Sequence, residues 1–199
     1  MLSEYKCILL FGPPGSGKGT QGKILNAIPG IFHCAIGDVL RNLDPDSELG
    51  QIFFRYSSAG QLLPNDVTIK IWSNYIKVQI DNGKFDPDKD LLVLDGIPRT
   101  MEQAEKMVDY INVLKVLHLK CSDSNILIER IHKRNIEETR PDDIKYSIIQ
   151  HRMRVYETDT LPVLNTYYSG KVVDIDASKG PLSIIKEILI ELEKVINKD

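Results

Sequence analysis

Gly12-Pro13-Pro14-Gly15-Ser16-Gly17-Lys18 has the residue types and spacing to hold a phosphate. It fits G-x-x-x-x-G-K, the phosphate-binding P-loop. Glycines remove side-chain obstruction and permit unusual backbone angles, so successive N–H groups can curl around an anion. The helix that follows adds the partial positive charge of its N-terminus. Lys18 supplies a full charge for the outer phosphates. Gly19 stands where Ser or Thr usually follows the lysine, and Thr20 comes one position later. The dinucleotide pattern G-x-G-x-x-G fails, because Thr20 takes its last position.

The second source of chemistry is arginine. The chain has eight, and six of them (Arg41, Arg99, Arg130, Arg134, Arg140 and Arg152) stand in segments rich in Gly, Asp and Pro or in the 130–152 stretch. Planar guanidinium forks suit phosphate oxygens. Phosphoryl transfer is carried mainly by position and electrostatics, so a P-loop with scattered arginines is what it requires. Taken singly, each arginine could equally be a surface ion pair worth ~0–1 kcal/mol. Asp95 ends the apolar run Leu91–Leu94. A carboxylate at the carboxyl end of a parallel strand can hold Mg2+, directly or through water.

These residues need elements to position them. Cys7–Phe11 is a short apolar run stopped by Gly12-Pro13, which reads as a buried strand. Helices are expected over 18–27, 47–58, from 65 or 66 to 81, from 100, 122–133, from Pro141, and over 181–197. Further strands are expected over 31–36, 91–94, 113–120 and 172–175. Asn65 or Asp66, Thr100 with Gln103, and Ser122 are the expected caps. Strands separated by helices imply a parallel sheet covered on both faces. The expectation is one α/β domain over 1–199, with five parallel strands.

Composition excludes several classes. With 25 Lys plus Arg against 28 Asp plus Glu, net charge −3, no basic excess points to a nucleic-acid polymer. No apolar run reaches the ~20 residues of a membrane helix. The first residues, with Glu4, do not read as a targeting peptide. Three distant cysteines (Cys7, Cys34, Cys121) show no C-x-x-C and fit a reducing compartment, expected to be the cytoplasm. Cys34 and Cys121 fall on expected strands, as buried apolar fillers. His33, His118, His132 and His151 show no metal spacing and read as structural or surface residues.

GPPGSGKGTQ over 12–21, GDVLR over 37–41 and DGIPRT over 95–100 resemble the nucleoside monophosphate kinases, adenylate kinases above all, and the likeness runs from Cys7 to about Lys179. The resemblance implies a P-loop NTPase fold with a helical acceptor-binding insertion at about 36–66 and a short lid at about 134–140. It implies reversible Mg2+-dependent transfer from ATP to AMP, giving two ADP, by a monomer. Gly12, Pro13, Pro14, Gly15, Ser16, Gly17, Lys18, Gly19, Thr20, Arg130, Arg134 and Lys179 would then bind ATP. Ile36, Gly37, Arg41, Gln61, Leu62, Leu63, Gly96, Arg99, Gln103, Arg140 and Arg152 would bind AMP. Lys18, Arg99, Arg134, Arg140 and Arg152 would be catalytic, and Asp95 would hold the metal through water.

Some positions leave choices open. Gln103 suits both adenine reading and a helix cap. Asp142 and Asp143 suit both a helix N-terminus and indirect contacts to ATP. Ile36 stands where the family usually has Thr, beside the acceptor base, so base preference is open to another monophosphate such as CMP or UMP. Counting back from Pro162 selects Arg152 for the last arginine role, while counting forward from Asp143 lands on His151; the charged arginine is preferred. A non-catalytic adenylate sensor is the alternative outside the enzymes.

Overall fold

The computed structural model describes residues 4–138 and 145–196, so Arg140, Pro141, Asp142 and Asp143 lie outside the described residues. Five strands form one parallel sheet: β1 (Tyr5–Phe11), β2 (Ile31–Ala35), β3 (Leu91–Asp95), β4 (Ile111–Lys120) and β5 (Val172–Asp176), in the order β2-β3-β1-β4-β5. The helices are α1 (Lys18–Leu25), α2 (Ile36–Arg41), α3 (Glu48–Ser58), α4 (Asn65–Asp81), α5 (Met101–Met107), α6 (Ser124–Glu138), α7 (Tyr146–Val155) and α8 (Pro181–Ile196). The expected α/β class and five-stranded parallel sheet are what the chain forms.

The strands sort their side chains by alternation, as a sheet buried on both faces must. Cys7, Leu9 and Phe11 pack with Cys34, Leu92, Leu94, Trp72 and Ile76 on one face. Ile8 and Leu10 pack with Val93, Leu25, Ile184 and Ile188 on the other. The β1–β4 register shifts between Cys7, opposite Val113, and Ile8, opposite Lys115. That one-residue slip puts Val113 and Val116 on the same face despite their odd spacing.

Several boundaries differ from expectation, each for a local reason. α4 begins at Asn65 after Pro64, and no side chain caps it. The Asn65 carboxamide is engaged elsewhere, accepting from Thr100 and Gln103. Ser122 does not cap α6, which starts at Ser124; Asp123 Oδ1 instead accepts from Asn125 N at 2.9 Å. Cys121 lies past the end of β4 and is half-buried, not a strand filler. Beyond α7 the helix continues through π-helical turns at Tyr156–Thr160 and Val163–Tyr167.

The sheet order reverses around β1, whose neighbours are β3 and β4. In open parallel sheets ligands bind beyond the carboxyl ends of the strands at such a point. The P-loop leaves the end of β1, and Asp95 and Gly96 leave the end of β3.

Candidate active site

The loop over 12–17 is shaped by its glycines. Gly15 has φ +82°, and a Cβ there would sit 2.4 Å from the Leu127 carbonyl oxygen. Only glycine fits so tight an approach of loop to α6. The Lys18 ammonium folds back over the loop and donates to the carbonyl oxygens of Gly12 at 2.7 Å and Pro13 at 3.2 Å. Ser16 is fully buried, and its hydroxyl has no partner among the described residues.

Positive charge converges on this point from four elements. Burial pushes the Lys18 ammonium down to about 8, with Asp95 opposing and Arg99, Arg134 and Arg152 adding to the fall. Arg99 comes from the turn after β3, Arg134 from α6 and Arg152 from α7. Like charges held in one low-dielectric region cost free energy unless an anion joins them.

A cleft with about 1040 Å³ of empty space opens beside Lys18. Gly12, Pro14 and the charged Arg41, Arg99 and Arg152 line it. Ile36, Leu40, Phe53, Leu62, Leu63 and Pro98 give it apolar walls, with Gln61, Thr68 and Gln103 as polar points. A cleft lined by both guanidinium groups and apolar side chains suits a nucleoside phosphate. Gly96 makes this shape possible. It has φ +81°, the Arg99 Nε donates to its carbonyl at 2.8 Å, and a Cβ would meet Arg99 Nη2 at 2.8 Å and Ile36 Cγ2 at 3.2 Å. Within α2, Arg41 Nη2 donates to Asp38 Oδ1 at 2.5 Å, one turn back along the helix. Gly60 lets α7 come close: a Cβ there would be 3.2 Å from Arg152 Cγ.

The structure thus brings Lys18, Ile36, Gly37, Arg41, Gln61, Leu62, Leu63, Gly96, Arg99, Gln103 and Arg152 around one cleft. His151 does not line it. Arg130 and Lys179 meet each other instead, on the turn after β5. The Arg130 guanidinium donates to the carbonyls of Ala177 (2.6 Å) and Lys179 (3.0 Å), and the Lys179 ammonium pairs with Glu187 at 2.7 Å. The cleft also gains Phe53, Thr68, Val155, Tyr156 and Thr160, which motif reading did not assign. Tyr156 falls one helical turn after Arg152, and that i, i+4 spacing was the available signal.

Asp95 is 8% exposed, its Oδ2 3.9 Å from His33 Nε2. Among the described residues no three side chains form a metal-ligating group. One carboxylate facing the phosphate cradle, its Oδ2 4.0 Å from where a Cβ on Gly19 would sit, suits Mg2+, which keeps several waters and takes few protein ligands.

Comparison with known proteins decides the family. A family model described as adenylate kinase matches residues 10–172. The chain belongs to the adenylate kinase family. Adenylate kinase of Kocuria rhizophila is 33% identical over 193 residues, covering 94% of this chain and 98% of that protein. Those of Corynebacterium urealyticum and Parabacteroides distasonis are each 34% identical, over 195 and 196 residues. They cover 94% and 96% of this chain, and 99% and 97% of theirs. As a member of the adenylate kinase family the chain is a nucleotide-binding transferase of the P-loop α/β fold, and an enzyme of the nucleoside monophosphate kinase class.

Proposed function

We propose that the chain transfers the terminal phosphoryl group of ATP to AMP, reversibly, giving two ADP, with the following division of labour. The loop over 12–20 and Lys18 hold the donor phosphates. Arg41 and Arg99 hold the acceptor phosphate. Arg134, Arg152 and Arg140, the last outside the described residues, neutralise charge on the moving group. Gly37, Gln61, Leu62, Leu63, Ile36 and Gln103 hold the acceptor base. Arg130, with the Lys179 backbone, receives the donor base. Residues at about 36–66 act as the acceptor arm and those at about 134–140 as the lid. The protein acts as a monomer in the cytoplasm; Cys7, Cys34 and Cys121 are free thiols, and among the described residues no helix is long and apolar enough to cross a membrane.

Adenylate kinases generally use Mg2+ with ATP. Asp95 would hold that ion through water, and when bound it neutralises charge on the donor phosphates. The protein's own part is positional. Four cations around one point draw the two nucleotides' phosphates together, despite their mutual repulsion. No general base is needed, because the acceptor is already an anionic phosphate. Closure over the reactants keeps water from taking the phosphoryl group.

The observation that carries this reading is the convergence of Lys18, Arg99, Arg134 and Arg152 beside a cleft with apolar as well as charged walls. A binding-only sensor does not need cations on both sides of a transfer point. The test is a coupled ADP assay with Mg-ATP and AMP, CMP, UMP, GMP or dAMP in turn. Fast turnover with AMP is expected. Preference for CMP or UMP would move the substrate, and tight binding without turnover would favour the sensor.

A further inference from the structure

Gln103 is 2% exposed and lines the cleft. The orientation of its amide is fixed by groups whose polarity admits no choice. The Arg99 backbone N–H can only donate, and it donates to Gln103 Oε1 at 2.7 Å. On the other side Gln103 Nε2 donates to Asn65 Oδ1 at 3.0 Å. Asn65 is itself fixed, because its Nδ2 donates to Glu102 Oε2 at 2.6 Å. The Glu102 carboxyl is held below its ordinary value by hydrogen bonds from Lys106 and Asn65, so it is ionised and accepts only. Thr100 completes the network. Its hydroxyl accepts from Gln103 N at 3.1 Å and donates to Asn65 Oδ1 at 3.0 Å.

Turning the Gln103 amide over would place two donors face to face at Arg99 and two acceptors at Asn65. The Arg99 N–H would lose its acceptor, and both amide atoms of the buried Gln103 would face groups of their own polarity. In the fixed sense, each amide atom keeps one hydrogen-bonding valence: a lone pair on Oε1 and an N–H on Nε2. That pair matches a base edge with an exocyclic amine beside a ring-nitrogen acceptor. It mismatches an edge with a carbonyl oxygen beside a ring N–H.

We propose that Asn65 is a specificity-determining, positioning residue: by locking the Gln103 amide it makes the acceptor pocket accept amino-bearing bases and reject keto bases. The proposal rests on Gln103 facing the acceptor base in the function assigned above. Asn65 acts through Gln103, so its loss affects base choice more than the transfer step.

The test compares AMP with inosine monophosphate, which replaces the amine by oxygen and protonates the adjacent ring nitrogen. In the unsubstituted protein kcat/KM for AMP should exceed that for inosine monophosphate by at least about a hundredfold. Asn65→Leu should shrink this ratio about tenfold or more, chiefly through a raised KM for AMP, with KM for ATP unmoved. Asn65→Asp combined with Glu102→Gln keeps an acceptor oxygen toward Gln103 and a donor–acceptor pair at the Glu102 contact, and should restore the ratio. An unchanged ratio in folded Asn65→Leu, or an equal loss in the folded Asn65→Asp, Glu102→Gln double variant, overturns the proposal. Gln103→Leu separates the two levels. If it collapses the ratio while Asn65→Leu does not, Asn65 alone is misassigned. If Gln103→Leu leaves the ratio intact, base reading by Gln103 falls and the Asn65 role falls with it.

Discussion

Lys18 Nζ lies 2.7 Å from the carbonyl oxygen of Gly12, six residues back along its own loop. The lysine therefore closes the P-loop on itself. It does so as a cation that burial and three arginines disfavour. An incoming phosphate relieves both conditions.

Lys18→Met should lower kcat by roughly 10²–10³-fold, the scale of losing a charged group at a transfer point. Melting temperature should hold or rise, because a disfavoured buried charge leaves. A coupled assay with a thermal melt reads both. Near-normal turnover would remove Lys18 from the chemistry.

Nucleotide binding should take up protons near pH 8. Burial holds the Lys18 ammonium at about 8, so near that pH about half of it is neutral. Phosphate favours the charged form and raises the value. Up to about half a proton should be gained at pH 8, and almost none at pH 6, where Lys18 is already charged. Titration calorimetry in buffers of different ionisation enthalpy measures this. Lys18→Met should abolish the uptake.

Arg99→Ala should raise KM for AMP about tenfold or more, the cost of charge-assisted hydrogen bonds to a phosphate. KM for ATP should change far less. Initial rates at limiting AMP would show it, and equal effects on both substrates would contradict the acceptor-side assignment.

Ile36→Thr should sharpen preference for AMP over CMP. It should also lower stability by roughly 1–3 kcal/mol, since Ile36 is 2% exposed and packs under Gly96. An unchanged AMP:CMP ratio of kcat/KM would take Ile36 out of the base pocket.

Tyr156→Phe should cost about 1–2 kcal/mol. The His118 Nδ1 lies 2.8 Å from Asp174 Oδ1, so its Nε2 is the acceptor for the Tyr156 hydroxyl, also at 2.8 Å. Losing the hydroxyl leaves a buried ring nitrogen without a donor. Denaturant melts would check this, and a loss below a few tenths of a kcal/mol would contradict the chain of bonds.

Local chemistry explains what could be read from sequence. Gly15, Gly96 and the strand Cys7–Phe11 declare themselves, because their demands are set by backbone angle, close approach and two-sided burial. Arg41, Arg99 and Arg152 stand out because arginine is scarce in the chain and its fork suits phosphate. Asn65 was legible only as a cap. Its actual partners, Glu102, Thr100 and Gln103, are 35 or more residues away, and no local pattern records them. The carbonyls that engage Arg130 lie 47 or more residues along the chain. Tyr156 and Phe53 entered the cleft because helix packing turned one side of each helix inward.

The most direct measurement is phosphorus NMR of the purified protein with Mg-ATP and AMP. ATP and AMP should disappear in equal amounts while two ADP appear, and ADP alone should regenerate both. Release of free phosphate, or no reaction that depends on AMP, would contradict transfer between two nucleotides held around Lys18 and its arginines.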